Sequence, residues 1–407
     1  MISRRRWQAT AFGLVAAILA LTPARAFAQA YNNDLQSVYS PSAGGMAGVC
    51  LGTAQDATSA LFGNPATLAQ FTGTRITLGG VYTNDDVRLT HNGSVAGDDF
   101  WGAYSTNDLL IPNGAIAQYW ELGGIGLSAG VGATKIARAG SNYQAVPGGL
   151  YQEANYDLWG LSTGLAVKFF NKISIGVAGQ MGYGTIENGF VNLPGGDVSG
   201  DDHDYGVRGT FGLDWAFSEQ RSFGLVYQME MPMQFDNVAL INGDAYSLRI
   251  EQPAMWGFGL EDRTFMSGNL LLAVDVLIKQ WNASDFYRDV YDNQLITSFG
   301  TQYIFGNWKV RAGYSYATNP YDGSVGNSLG GAPVPSNVVE YLQATQLASA
   351  WRQRITVGVA RDDLYIPRLE ASGFAGWLLH DDDAFGGHTL VDQTGWYLGG
   401  GLTWRRN

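Results

Sequence analysis

Apolar and polar residues alternate in runs of ten or more along most of this chain, from about residue 75 to residue 404. In the stretch 204–217 the apolar side chains share one parity, whereas charged and small residues occupy the other. The apolar positions are Tyr205, Val207, Phe211, Leu213, Trp215 and Phe217. Because successive side chains of a β-strand point to opposite faces, this stretch predicts a strand with one apolar and one polar face.

The same alternation recurs, and fourteen segments fit it. At 222–231 the apolar set is Phe223, Leu225, Tyr227, Met229 and Met231. The predicted strands are 74–84, 111–121, 124–137, 155–169, 173–185, 204–217, 222–236, 245–260, 268–281, 293–305, 308–318, 351–361, 368–380 and 394–404. A soluble sandwich would show similar alternation, so the pattern alone leaves two all-β architectures open.

The segments between the predicted strands separate the two architectures. Tight turns such as Leu122-Gly123 and Gly306-Asn307 alternate with long polar segments such as 85–110 and 319–350. Short turns on one side and long loops on the other are typical of outer-membrane barrels. The sequence therefore predicts an all-β fold, a transmembrane antiparallel β-barrel of about fourteen strands with long extracellular loops. Within the predicted loop 319–350, residues 338–350 are a predicted short helix, which is either a lid over the outer mouth or a part of the loop without a role in ligand capture.

The first thirty residues resemble a signal peptide. A basic start at Arg4, Arg5 and Arg6 precedes a short apolar run from Ala11 to Leu21, and small-x-small cleavage patterns end at Ala26 and Ala30. The apolar run is too short to cross a bilayer, which takes about 20 residues. We expect export and removal of 1–30, with a retained anchor as the alternative.

The net charge and the cysteine count exclude some classes of partner and of structural cross-link. The chain carries 24 basic and 36 acidic residues, for a net charge of −12, and removal of four arginines with the signal peptide leaves 20 basic residues and −16. Such an acidic protein repels the phosphate backbone, so we expect no nucleic-acid partner. Cys50 is the single cysteine, which excludes an internal disulfide.

Residues 31–73 lack strand alternation and are rich in Gly, Ala, Ser and Thr. The segment is either a periplasmic tail or a plug, and because the lumen of a fourteen-stranded barrel is wide, a hatch that plugs it is the preferred interpretation. The predicted organisation is a signal peptide at 1–30, a hatch at 31–73 and a transmembrane barrel at 74–407.

The hatch also carries a resemblance. A Gly/Ala run at Ala43–Gly48 is followed by Asp56-Ala57, Ser59-Ala60-Leu61-Phe62 and Asn64-Pro65-Ala66. A later stretch from Leu271 to Tyr316 contains Asp275, Trp281, Trp308, Arg311 and Gly313-Tyr314. In this order the segments resemble the outer-membrane long-chain fatty-acid and aromatic-hydrocarbon transporter family (FadL/TodX type). One departure is the C-terminus, where Trp404 is followed by Arg405-Arg406-Asn407 rather than ending the chain.

The resemblance implies a hatch at the periplasmic side and a kink in the third strand that releases ligand sideways into the membrane. The gate candidates are accordingly Asn64, Pro65 and Ala66, expected near that kink, and Gly124, Gly126 and Gly130 of the third predicted strand. Pro65 lacks an N–H and has a fixed φ, which suits a rigid bend. The alternatives are an ordinary Asn-Pro turn and glycines without a gating role.

Several charged residues have the parity opposite to the apolar face and are expected to point into the lumen. Candidate ligands for a fatty-acid carboxylate are Arg208, Arg249, Arg311, Arg352 and Arg354. A salt-bridge network that braces the barrel and hatch is the preferred interpretation of the same residues.

No catalytic, metal or cofactor motif is present in the sequence, and the acidic runs at 201–204 and 381–383 are interpreted as solvated loops rather than calcium sites. We therefore expect a monomeric, non-enzymatic, passive outer-membrane channel for small hydrophobic molecules. Its other expected partners are outer-membrane lipid, lipopolysaccharide and the barrel assembly machinery. The alternatives are a general diffusion porin for polar solutes and a surface adhesin or receptor.

Overall fold

The computed structural model describes residues 40–406 except 93–98, 144–150, 192–197, 242–243, 285, 290, 321–325, 330–331, 334–335, 337–351 and 386–388. The predicted signal peptide at 1–30, the first part of the hatch and the predicted helix at 338–350 lie outside the described residues.

Fourteen of the strands in the described part of the chain close into one antiparallel barrel. These are β1 (Thr74–Asn92), β2 (Asp99–Leu122), β3 (Ile125–Tyr143), β4 (Tyr151–Phe169), β5 (Ile173–Val191), β6 (Val198–Ser218), β7 (Arg221–Gln228), β10 (Met255–Phe265), β11 (Leu270–Lys279), β12 (Gln294–Phe305), β13 (Trp308–Ala317), β16 (Gln353–Arg361), β17 (Leu369–Phe385) and β18 (Thr389–Arg406). They neighbour one another in this order, and β18 pairs with β1 to close the wall. The predicted fold class is confirmed.

Four further strands form two hairpins outside this ladder. They are β8 (Met231–Ile241) with β9 (Asp244–Gln252), and the two-residue strands β14 (Ser328–Leu329) with β15 (Ala332–Pro333). The prediction that 222–236 and 245–260 are two continuous wall strands is therefore wrong. The wall strand β7 ends at Gln228 and the wall resumes with β10 at Met255.

The β8–β9 hairpin folds over the inner face of the wall. Met231 and Met233 fill the space beside three wall residues that have no side chain, Gly182, Gly184 and Gly206. Met231, which the sequence placed on the outward apolar face, is fully buried inside. Alternation continues through the hairpin because it also has two faces, one against the wall and one away from it.

The wall is apolar outside and polar inside. Large exposed side chains on the outer face include Leu165, Val177, Val207, Phe211, Val310 and Val357. Buried polar side chains on the inner face include Gln180, Arg208, Asp214, Asp275 and Arg311. This is the distribution that a barrel in lipid requires. Among the described residues, no helix is long and apolar enough to cross a membrane.

The described part of the hatch, Ser40–Gly73, is inside the barrel. It contains a 3-10 helix at Ala43–Met46, the helix α1 at Ala57–Phe62 and a second 3-10 helix at Pro65–Gln70. Asp56 caps α1 by accepting the Ser59 N–H at 2.8 Å, and its other oxygen accepts from the Ser40 hydroxyl at 2.6 Å. Such a cap contributes about 1 kcal/mol. Asp56 therefore fixes both the start of α1 and its position against the beginning of the segment.

Candidate functional site

The hatch lies against the wall at glycines whose missing side chains make room for it. A Cβ atom at Gly176 of β5 would lie 2.3 Å from the Ala66 nitrogen, and one at Gly224 of β7 would lie 2.0 Å from the Leu51 oxygen. One at Gly313 of β13 would lie 2.3 Å from the carbonyl carbon of Met46. Real Cβ atoms do not approach backbone this closely. The inner wall therefore has a surface that matches the hatch backbone at several strands.

The close approach also reaches the two strands that close the barrel. A Cβ atom at Gly79 of β1 would lie 2.4 Å from the Pro41 ring, and one at Gly401 of β18 would lie 2.9 Å from it. Gly79 and Gly401 are paired residues of the β1–β18 ladder. Pro41 therefore lies over the seam between the first and last strands.

Polar side chains of the wall tether the same segment. One carboxylate oxygen of Asp275 accepts from the N–H groups of Cys50 at 2.7 Å and Leu51 at 3.0 Å. The Arg354 guanidinium donates to the Ala47 oxygen at 2.9 Å, and the Ser222 hydroxyl donates to the Gly52 oxygen at 2.6 Å. A charged hydrogen bond contributes about 1.5–3 kcal/mol, so these contacts hold the hatch firmly in the lumen.

Asn64, Pro65 and Ala66 contact the wall at β5 and β6, and the 3-10 helix that Pro65 begins also contacts β3. The Asn64 amide donates to Leu51 at 2.8 Å and to the wall oxygen of Leu213 at 3.0 Å. Its oxygen accepts the Ala66 N–H at 3.1 Å, and Pro65 begins the second 3-10 helix. The motif therefore joins two parts of the hatch to the wall.

The other gate candidates have different positions. Gly124 belongs to the turn before β3, with φ of +83°, not to the strand as predicted. Gly126 packs beside Tyr119 of β2. Gly130 faces Leu61 and Leu68 of the hatch. Of the three glycines, Gly130 alone joins the third strand to the hatch.

The wall is discontinuous between β2 and β3. Their ladder runs from Leu122↔Ile125 to Gly114↔Ala133, and beyond it the described residues of β2 pair with β1 while those of β3 pair with β4. A bulge at Ile136 shifts the β3–β4 register. A bulge bends its strand, which accounts for the departure of β3 from β2.

Four consecutive buried residues, Thr134 to Ala137, mark the bend in β3. A strand that kept its alternation would expose every second one of them. The Lys135 side chain is 1% exposed, and its ammonium group lies 2.7 Å from an Asp157 carboxylate oxygen and 4.9 Å from the centre of the Trp159 ring. An ion pair therefore fixes β3 to β4 at the bend.

A buried aromatic cluster lies at the end of the lumen that carries the long loops. It consists of Trp281, Phe286, Tyr287 and Tyr291, with ring centroids 4.7–5.5 Å apart. Burial raises the pKa of Tyr287 well above its usual value, so this hydroxyl stays neutral.

The β8–β9 hairpin extends the apolar surface. The Ser284 hydroxyl next to the aromatic cluster donates to the Glu251 oxygen of β9 at 3.1 Å. Phe235 of β8 packs edge-on against Tyr156 of the wall at 6.0 Å, and Met231 and Met233 follow along the same strand. The sequence interpretation missed this cluster except for Trp281. The signal available was the aromatic density between residues 281 and 291.

The five arginine candidates do not converge on one site. Arg311 contacts Glu370 at 3.0 Å near the short turns, and Arg354 contacts the hatch. Arg208 donates to Gln180 on β5 at 2.6 Å. Arg249 pairs with Glu251 within the hairpin at 2.5 Å, and Arg352 is buried just before β16. In the described part of the chain, no three His, Cys, Asp or Glu side chains form a metal-binding group.

Comparison with known proteins gives structural matches alone: no protein-family model and no curated protein matches the chain. The P. putida toluene transporter TodX is 14% identical, with a TM-score of 0.64 over 92% of this chain and 100% of that one. A Pseudomonas aeruginosa FadL homologue is 13% identical, with a TM-score of 0.64 over 94% and 100%. The Ralstonia pickettii toluene transporter TbuX is 13% identical, with a TM-score of 0.62 over 91% and 99%. The resemblance seen in the sequence is thus confirmed as a resemblance of fold, and this chain has the fourteen-stranded barrel fold of the FadL/TodX type.

Proposed function

We propose that this protein is a passive outer-membrane channel for small hydrophobic molecules, either long-chain fatty acids or aromatic hydrocarbons. Structures with this fold include toluene transporters and a FadL homologue, which are transport proteins rather than enzymes. The sequence contains no motif for energy coupling, so movement follows the concentration gradient. The protein acts as a monomer in contact with outer-membrane lipid and lipopolysaccharide, after insertion by the barrel assembly machinery.

The apolar surface at the loop end supports a hydrophobic ligand. Trp281 and Tyr287 of the aromatic cluster and Phe235 and Met231 of the hairpin are nearly fully buried, so a ligand reaches them by parting side chains that now pack together. An apolar solute that leaves water to pack among these side chains gains about 25 cal/mol per Å² of its own apolar area. A polar or charged solute would lose its hydration there without compensation.

The end of the β2–β3 ladder at Gly114↔Ala133 is the observation that carries the proposed route. Beyond this pair, β2 stays hydrogen-bonded to β1 and β3 stays hydrogen-bonded to β4. Separating β2 from β3 there therefore breaks no further hydrogen bonds between wall strands. The hatch closes the axial path at this level, and Gly130 lies next to Leu61 and Leu68. We infer that ligand leaves sideways through the wall between β2 and β3, with Asn64, Pro65 and Ala66 holding the hatch during passage.

A general diffusion porin is the main alternative, and the hatch argues against it. Asp275, Arg354 and the glycine surface hold a plug where an open porin would have water. Ion conductance in planar bilayers separates the two functions, because an open porin conducts strongly. A surface adhesin would show neither conductance nor uptake.

Uptake of labelled oleate and toluene tests the proposal in cells that lack their own transporter. We expect uptake with this protein, and loss of uptake or of selectivity after deletion of residues 40–70. Absence of uptake of both compounds from a correctly assembled barrel would refute the proposed function.

A pair of cysteines tests the exit. If the β2–β3 ladder continued beyond Gly114↔Ala133, Asn113 and Thr134 would be the next pair. The double variant Asn113→Cys, Thr134→Cys places one thiol on each strand there, and a bifunctional thiol reagent links the two strands. Joining the strands is expected to stop uptake, and cleaving the reagent to restore it. The matched control is Ile116→Cys with Val131→Cys, a pair within the ladder, where joining should have no effect. Equal uptake in both joined variants would rule out this exit.

A further inference from the structure

A cavity of about 250 Å³ lies between the hatch and the wall at the end of the barrel with short turns. Its hatch side includes Thr53, Gln70 and Phe71. Its wall side is lined by five basic residues, Arg75, Arg263, Lys309, Arg311 and Arg405. The cavity is smaller than sites for drug-sized ligands, which measure about 300–1,000 Å³. It lies on the other face of the hatch from the aromatic cluster and is separate from the apolar surface.

Two of the basic residues oppose each other directly. Arg75 of β1 and Arg405 of β18 are paired in the antiparallel ladder, and both side chains line the cavity. Like charges at directly opposite positions destabilise a sheet. The Nε atoms of both arginines are buried and have no hydrogen-bond partner among the described residues. Glu370 and Asp362 offset part of the cost of this pairing, and an anion between the two guanidinium groups would offset more of it.

The neighbouring carboxylates do not balance the charge. Glu370 accepts from Lys309 at 2.6 Å and from Arg311 at 3.0 Å, and it also contacts Arg405. Asp362 lies 3.0 Å from Lys309 and 3.2 Å from Arg405.

Glu261 lies 3.4 Å from Arg263. Glu370, Asp362 and Glu261 therefore pair with four of the five basic groups, and Asp56 is a fourth carboxylate that acts on Arg75 from a longer distance. Five basic groups against four carboxylates leave one positive charge at the site in a protein of net charge −12. Arg75 makes no ion pair within the described ranges, and its guanidinium stands 4.5 Å from the centre of the Phe71 ring. The excess positive charge is concentrated at Arg75.

We propose that this cavity binds a small oxyanion, the phosphate or carboxylate group of a soluble molecule, between Arg75 and Arg405. A guanidinium presents paired N–H donors that match two oxygens of such a group. The hatch supplies a facing polar group, the Thr53 hydroxyl, which accepts from Arg263 at 2.9 Å and keeps its own proton to donate. A bound oxyanion bridges hatch and wall and so stabilises the plugged state.

Inorganic phosphate and octanoate are the probes, added to the full-length protein in neutral detergent at constant ionic strength. Calorimetry and thermal unfolding should show saturable phosphate binding and a rise in Tm. Arg75→Gln and Arg405→Gln should each weaken binding by about 10- to 150-fold, the loss of one charged hydrogen bond. Arg75→Gln without phosphate should be no less stable than the native protein, because it relieves the opposed charges.

Arg221→Gln is the matched control. Arg221 is a basic residue at the same end of the barrel, pairs with Asp262 at 2.9 Å and does not line the cavity. Hydrogen exchange of the Ala54 and Phe71 amides should be slowed by phosphate in the native protein and in Arg221→Gln, but not in Arg75→Gln.

Arg75-dependent binding of either probe supports the site. Binding of phosphate would identify the natural ligand group as a phosphate, and binding of octanoate would identify it as an aliphatic carboxylate. The proposal is overturned if neither probe binds saturably, or if Arg75→Gln and Arg221→Gln alter binding equally. Neither result bears on uptake of apolar compounds, so this test and that of the proposed function fail independently.

Discussion

Substitution of one lumen-facing glycine should loosen the hatch without damaging the wall. Gly176→Ala places a methyl group 2.3 Å from the Ala66 nitrogen, where ordinary contact begins at 3.4 Å. The backbone at Pro65–Ala66 must then retreat by about 1 Å, and overpacking of this kind costs about 1–3 kcal/mol. Gly179→Ala is the matched control on the same strand, because its methyl group would meet nothing closer than the Thr163 hydroxyl at 3.9 Å.

Hydrogen exchange of the hatch amides measures the effect. A cost of 1–3 kcal/mol that falls on the docked hatch raises the population of its released state by about 5- to 150-fold. The Ala66 and Thr67 amides should therefore exchange faster by that factor in Gly176→Ala, while the wall amides of β5 keep their native rates. Ion conductance in planar bilayers should rise in parallel. Equal exchange rates in Gly176→Ala and Gly179→Ala would show that the hatch does not lie against this wall.

Three further substitutions follow from the polar contacts. Asp275→Ala should remove two hydrogen bonds to the hatch and raise bilayer conductance, and a conductance equal to that of the native protein would contradict the tether. Asp157→Asn leaves the buried Lys135 ammonium without its anion, so thermal unfolding should show a greater loss of stability than in Lys135→Met; the reverse order would refute this account. Burial raises the pKa of the Cys50 thiol, so at pH 8 it stays protonated and should resist alkylation in the native protein but react in Gly176→Ala, as mass spectrometry can measure.

The number of wall strands could be predicted because alternation and loop asymmetry are both properties of the sequence. The β8–β9 hairpin could not, because Met231 and Met233 continue the parity that Phe223 and Leu225 establish in the wall. Alternation shows that a strand has two different faces. It does not show whether the apolar face meets lipid or the inside of the same wall.

The hatch was predictable as a segment but not in its contacts. Loss of alternation marked residues 31–73, whereas the positions that receive it, such as Gly176 and Gly313, have no side chain with which to indicate a partner. The aromatic cluster was overlooked for a different reason. Trp281 is separated from Phe286 and Tyr287 by a mostly polar run of four residues, so the segment resembled an ordinary loop in the sequence.

The position of Pro41 over the β1–β18 seam makes the hatch sensitive to how the barrel is closed. Pro41 fits there because the paired residues Gly79 and Gly401 have no side chains. The neighbours of Gly79 in β1 are Leu78 and Gly80, and those of Gly401 in β18 are Gly400 and Leu402. Displacing one strand by one residue reverses the face on which its side chains stand and brings a leucine toward the lumen. A barrel that closes out of register therefore loses the place for Pro41. The docked position of the hatch thus depends on the register in which the first and last strands pair.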